Sequence, residues 1–323
     1  MGWFFLSSFY FPYMTKCSHR GEKYKMAKYQ IFTDSSSDLS TELRKQYGIE
    51  YFYFGLVVDG VEYRADLDWK DYSPEEFYGW LKQGKKIKTT QVSMEEVISK
   101  VRPLFEQGID VIYLACSCKL TGSLNLFQLA KEQLMEEFPE RKMIGVETLT
   151  SAFALGLLTI DASKKQKEGL SIEELEKWVL QRRKFYNFFA TVDTLSYLKA
   201  SGRIKGTAAF FGNIIGVKPI FISAADGNNL TIEKVKGTKA SLNAIFEGIK
   251  SVIVPGDTDE IFIGQGMCMD RAELLKKRVE EELKLKCSII WIGPIVGTSC
   301  GPGIIATFAR GKEVTRYEGD GIK

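Results

Sequence analysis

Between Val111 and Ala130 an apolar, β-branched run stops at a knot of small polar residues, and a helical pattern takes over. Val111, Ile112 and Leu114 suit a buried strand of the parallel type. Ser117, Thr121, Gly122 and Ser123 make the break, and Leu126, Phe127, Ala130, Leu134 and Phe138 then recur on one helical face. The first N–H groups of a helix opened this way lack intrahelical partners, and the macrodipole adds partial positive charge. Two readings stay open. The junction can receive an anion, helped by the hydroxyls of Thr121 and Ser123, or one of those hydroxyls can simply cap the helix.

The same alternation runs from residue 29 to about 185. Tyr29–Thr33 reads as a strand ending in Asp34-Ser35-Ser36-Ser37-Asp38, and Tyr51–Val58 as one long strand turned by Asp59-Gly60 into Val61–Tyr63. Ser73-Pro74-Glu75-Glu76 is a helix start with a capping box, residues 87–93 form a polar segment, and Ser93 with Glu96 opens a helix through Phe105. A strand at Met143–Val146 and helices at Ser151–Lys164 and Ser171–Lys184 follow. The pattern predicts an α/β fold in which a parallel sheet is sandwiched by helices. Ligands of such sheets sit beyond the carboxyl ends of the strands, where the polar loops 34–38, 89–93 and 117–123 would converge.

From about residue 186 the character changes to a second α/β unit with a mixed sheet. Its strands are expected at Phe188–Val192, Asn213–Phe221, Thr231–Val235, Glu260–Gly264, Ser288–Ile292 and Ile304–Phe308, with Asp270 capping a helix to about Leu283. The expected division is therefore 1–25 as an extension outside the fold, 26–185 as an N-terminal domain and 186–323 as a C-terminal one. The glycine-dense segment Gly293–Gly303 lies between two strands and fits neither a P-loop nor a dinucleotide fingerprint. Either its glycines serve a turn, or its backbone approaches a ligand or the other domain.

Charge and residue usage remove several classes of function. The whole formal charge of +3 is accounted for by Lys16, Arg20, Lys23 and Lys25 against Glu22, so the body is balanced and lacks the footprint of a nucleic-acid binder. The one histidine, His19, lies in the extension, which removes imidazole-based hydrolase arrangements from the body. The six cysteines show no disulfide framework and no zinc spacing, so a reduced, cytoplasmic setting is expected, with no metal. The aromatic run Trp3–Tyr13 is too short to span a bilayer and lacks signal-peptide flanks. It reads as an upstream extension or as a segment that touches a membrane surface without stable insertion.

Six segments, taken in order, resemble the DegV family of bacterial fatty-acid-binding proteins. They are TDSSSDLS (33–40), KTTQVS (88–93), SCKLTGS (117–123), LSYLKASGRI (195–204), GVKPI (216–220) and GPIVGTSCGPG (293–303). The resemblance implies a two-domain DegV-like fold in the cytosol, holding one long-chain fatty acid of the palmitate, stearate or oleate class in an apolar tunnel; the oligomeric state stays open, with a monomer as the default. It implies a carboxylate held by hydroxyls at Thr89 and Thr121, with Thr90, Gly122 and Ser123 supporting and Ser299 on the same edge. Thr121 stands where the family has serine, and Ser299 where it usually has histidine. Arg203 matches an arginine linked to docking on a fatty-acid kinase. On this reading the protein is a carrier with no catalytic residues and no cofactor beyond its bound lipid. The local alternative for Thr89 and Thr90 is a turn or helix-entry role. The alternative from another class is a small-molecule phosphotransferase or hydrolase built on the Asp34 loop, and a third is a regulatory protein with no buried ligand.

Overall fold

The computed structural model describes residues 28–205 and 216–320. The extension 1–25 lies outside the described residues. Strand β1 (Tyr29–Asp34) runs into a single 3-10 turn at Ser35–Ser37 capped by the Asp34 side chain. Helix α1 (Thr41–Tyr47) starts on the Ser40 hydroxyl and ends at Gly48, whose φ of 67° only glycine adopts freely. β2 (Ile49–Phe52) then pairs with β1 in parallel.

The run Tyr51–Val58 is not one strand. It divides between β2 and β3 (Gly55–Val58), which belong to different sheets. The reason lies in the two residues between them. The Tyr53 N–H donates to Glu96 Oε1 at 3.2 Å and the Phe54 N–H to Ser35 Oγ at 2.9 Å, so side chains distant in sequence draw the backbone off the ladder. β3 continues through Asp59 and Gly60, both at positive φ, into antiparallel β4 (Val61–Arg64). Helix α2 (Pro74–Lys82) carries the expected capping box. The polar segment after it begins with a strand, β5 (Ile87–Thr90), which completes a three-stranded sheet in the order β4-β3-β5.

Helix α3 (Met94–Glu106), β6 (Asp110–Ala115), α4 (Ser123–Glu137), β7 (Met143–Glu147), α5 (Ala152–Lys167) and α6 (Ile172–Arg182) follow. The four-stranded sheet has the order β2-β1-β6-β7 and is parallel throughout, as the alternation predicts. Helix α5 is buried on every side from Ala152 to Ser163 and packs against strands of both large sheets. Gly156 permits its approach to the first sheet. A Cβ there would lie 2.6 Å from the Ser37 carbonyl oxygen and 3.2 Å from Leu39. Helix propensity alone would favour alanine by about 1 kcal/mol. We expect Gly156→Ala instead to destabilise by about 1–3 kcal/mol, because the obstacle is backbone; equilibrium urea unfolding of both proteins measures it.

β8 (Tyr186–Thr191), α7 (Leu195–Ser201), β9 (Ile204–Lys205), β10 (Val217–Ser223), β11 (Asn229–Lys236), α8 (Thr238–Val252), β12 (Glu260–Gln265), α9 (Met269–Arg278), β13 (Lys286–Trp291), α10 (Pro294–Cys300) and β14 (Ile305–Arg310) complete the chain. Their sheet has the order β13-β12-β14-β8-β10-β11-β9 and is mixed, with parallel pairs only at β12–β13 and β11–β9. Two expectations are corrected. Asp270 does not cap α9; Cys268 holds the cap position and Asp270 lies inside the first turn, where its charge favours the dipole. The segment Gly293–Gly303 is not an open loop, because most of it is helix α10, entered by Gly293 and Pro294 and closed at Gly301. Among the described residues no helix is long and apolar enough to cross a membrane.

Candidate ligand-binding site

A cavity of about 340 Å³ opens where the parallel sheet's loop edge, β5, α10 and the seven-stranded sheet meet. Its wall is built first by the loop after β1. The Asp34 carboxylate is fully buried and accepts hydrogen bonds from the Ser36 N–H and hydroxyl, the Tyr113 hydroxyl at 2.7 Å and the Cys116 N–H at 2.9 Å. Burial pushes the Asp34 carboxyl above its ordinary value, and these donors pull it back. Asp34 thus fixes the positions of Ser36 and Cys116, both of which face the cavity, while not facing it itself. Asp38 ties this loop to α10. Its Oδ1 accepts the Gly293 N–H at 2.8 Å, and burial raises its pKa well above the usual carboxylate range. Both roles open for the glycine-dense segment are observed: Gly301 and Gly303 take positive φ where the chain turns toward β14, and the Gly293 backbone contacts the loop after β1.

The polar part of the wall comes from the end of β5 with the residues that follow it, and from the loop that leads into α4. Thr90 pairs with Gly55 across β5 and β3, and its hydroxyl fills the space a side chain at 55 would need. The Gln91 amide lies over Gly122, where a Cβ would stand 2.5 Å from its oxygen. Thr121 Oγ1 accepts the Ser123 N–H at 3.3 Å and lies 2.9 Å from Ser123 Oγ, which in turn accepts the Val92 N–H at 3.1 Å. Ser123 therefore clamps the 89–93 loop to the start of α4. Its side chain is fully buried and is not on the cavity wall. Thr89, Thr90, Thr121, Gly122 and Ser299 are all on that wall, and so is the solvent-exposed Arg203. Arg203 is the one charged side chain among the wall's described residues.

The apolar part was missed from sequence. Ala190 of β8 pairs with Ala306 of β14 and with Phe221 of β10, while Phe188 pairs with Phe308 two residues along. Residues two apart on a strand share a face, so the small pair leaves a trough bounded by the aromatic pair. Phe308 is backed by Phe153, at 5.9 Å between ring centroids. The period-two runs Phe188-x-Ala190 and Ile304-x-Ala306-x-Phe308 carried the signal, but alanine is too short to mark a cavity by pattern. Cys116 and Cys300 also line the space; both are buried, and burial raises both thiols, Cys300 to about 12, which disfavours the thiolate form. Among the described residues no cluster of histidine, cysteine or carboxylate side chains is arranged to hold a metal ion.

Residues 28–312 match the model of an uncharacterised-protein family, DegV. A DegV domain-containing protein of Clostridium perfringens is 33% identical over 287 residues, covering 88% of this chain and 98% of that protein. Among solved structures, a DegV family protein from Thermus thermophilus described by its fatty-acid binding superposes with a TM-score of 0.77 at 24% identity, covering 88% of this chain and all of that one. A stearic-acid-binding protein from Eubacterium ventriosum gives 0.76 at 24% identity, covering 87% and 98%. At these identities the structural likeness establishes the fold.

Proposed function

The chain belongs to the DegV family, and on that premise we propose that it binds one long-chain fatty acid in the cavity described above. The carboxylate sits among the hydroxyls of Thr89, Thr90 and Thr121 and the backbone at Gly122, with Ser299 on the same edge; Ser123 supports them from behind. The acyl chain runs over Ala190 and Ala306. The observation that carries this reading is the division of one cavity into a hydroxyl-rich part and an apolar trough, with no carboxylate and a single exposed cation, Arg203, among the wall's described residues. A buried carboxylate must be hydrogen-bonded or bear a large desolvation cost, and neutral hydroxyls meet that need without a buried counter-ion. Each buried methylene contributes about 0.8 kcal/mol, so the chain supplies affinity and the head group orientation.

The carrier role extends the same proposal. The protein acts in the cytosol and presents the carboxylate at the exposed side of the cavity, beside Arg203, to a separate fatty-acid kinase that forms the acyl phosphate. Its own residues do no bond chemistry, and the two domains divide near residue 186. The engagement of Asp34 by buried donors supports a structural role for it over the phosphotransferase or hydrolase alternative. Thr121→Val tests the head-group assignment. Palmitate affinity is expected to fall by about 1–3 kcal/mol, roughly 5- to 150-fold, in a calorimetric titration. Undiminished affinity would remove Thr121 from the site.

A further inference from the structure

We propose that the carboxamide of Asn229 is a further contact for the ligand's head group, supplied by the seven-stranded sheet; this rests on the fatty-acid reading above. Several buried side-chain polar atoms lack a hydrogen-bond partner among the described residues, among them Ser37 Oγ, Thr150 Oγ1, Thr191 Oγ1 and Asn229 Oδ1. Only Asn229 is also on the cavity wall. A buried acceptor without a partner is costly; an alcohol or un-ionised acid would satisfy it directly, and an ionised carboxylate only with the amide turned over so that its nitrogen faces the ligand.

The position of Asn229 relates it to the polar part of the wall. It opens β11, pairs with Ser223 of β10 on one side and Ile204 of β9 on the other, and so lies beside Arg203. Two residues earlier, Gly227 (φ 87°) packs so closely that a Cβ would collide with the Ser117 hydroxyl at 2.3 Å and press on Leu149 at 3.3 Å. The Ser117 carbonyl accepts the Thr121 N–H at 3.2 Å. The turn that delivers Asn229 therefore abuts the loop that delivers Thr121.

A carboxamide suits this place in a way a carboxylate would not. Its oxygen accepts from an alcohol or an un-ionised acid, and after a half-turn about its last bond its nitrogen donates to a carboxylate. Aspartate at the same place would accept from an alcohol but repel a fatty carboxylate.

The test is a pair of titrations, palmitate and hexadecanol, on the wild-type protein, Asn229→Asp and Asn229→Leu at pH 8. Asn229→Asp is expected to lose about tenfold or more in palmitate affinity while hexadecanol stays within about threefold. Asn229→Leu, which keeps no polar group, is expected to weaken both ligands several-fold and covers the case in which the aspartate variant does not fold. Wild-type palmitate affinity in either variant, or equal loss of both ligands in Asn229→Asp, would overturn the assignment while leaving the fatty-acid reading intact. A wild-type protein that binds neither ligand would overturn both.

Discussion

Asp34→Ala is expected to cost roughly 3–5 kcal/mol of folding stability, a fall of about 10 °C in the thermal midpoint or a loss of folded protein. The size follows from what would be stranded. The Ser36 and Cys116 N–H groups and the Tyr113 hydroxyl are all buried, and all donate to this carboxylate. Removing it leaves each of them without this acceptor. Asp34→Asn does not rescue the network, because its amide group would face another donor. Scanning calorimetry on the alanine and asparagine variants measures the effect. A change below about 1 kcal/mol in Asp34→Ala would mean that the loop does not depend on the hydrogen bonds assigned to it.

Ala190→Phe is expected to separate binding from stability. Ala190 lies between Ala306 and Phe221 on the floor of the trough. A phenyl ring there takes the place of about four methylenes, which at ~0.8 kcal/mol each is a loss of about 3 kcal/mol, on the order of 100-fold in palmitate affinity. The folded protein is expected to be unharmed or slightly stabilised, since the ring fills open space and not packed core. Titration with palmitate and with a shorter acid such as octanoate, together with a thermal midpoint, reads both effects. Loss of palmitate binding with retained octanoate binding and an unchanged or higher midpoint fits the trough. Unchanged palmitate affinity would place the acyl chain elsewhere.

Local features of the fold were legible in the sequence because their determinants are local. The capping box at Ser73–Glu76 forms as read, and the Asp59-Gly60 hairpin has the positive φ values its residue types favour. The division of Tyr51–Val58 was not legible, since it depends on Ser35 and Glu96, far away in sequence. Helix α10 was hidden by glycine and β-branched residues with weak helix propensity. Tertiary contact sustains it: Tyr197 packs on Gly301 at one end and Asp38 accepts the Gly293 N–H at the other.

The cavity's polar wall was in part legible in the sequence. Thr121 stands in the polar loop that was read before α4, while Thr89 lies in strand β5 and not in a loop of the parallel sheet; both fall on one cavity wall, and the family resemblance pointed to the same residues. Ser123 reads as an equal member of that group, but only the folded chain turns its hydroxyl to Val92 and away from the cavity. Asn229 was hidden in a stretch, Asp226-Gly227-Asn228-Asn229, whose composition announces a turn and nothing more. Ala190 and Ala306 acquire meaning through what they leave unfilled, which no residue pattern displays.

The most direct test of the account is native mass spectrometry of freshly purified full-length protein, followed by denaturing extraction and lipid analysis. The account predicts one long-chain fatty acid per polypeptide, released on denaturation and identified as a free acid of the palmitate, stearate or oleate class. Protein that is purified free of lipid and does not take up added palmitate would contradict it.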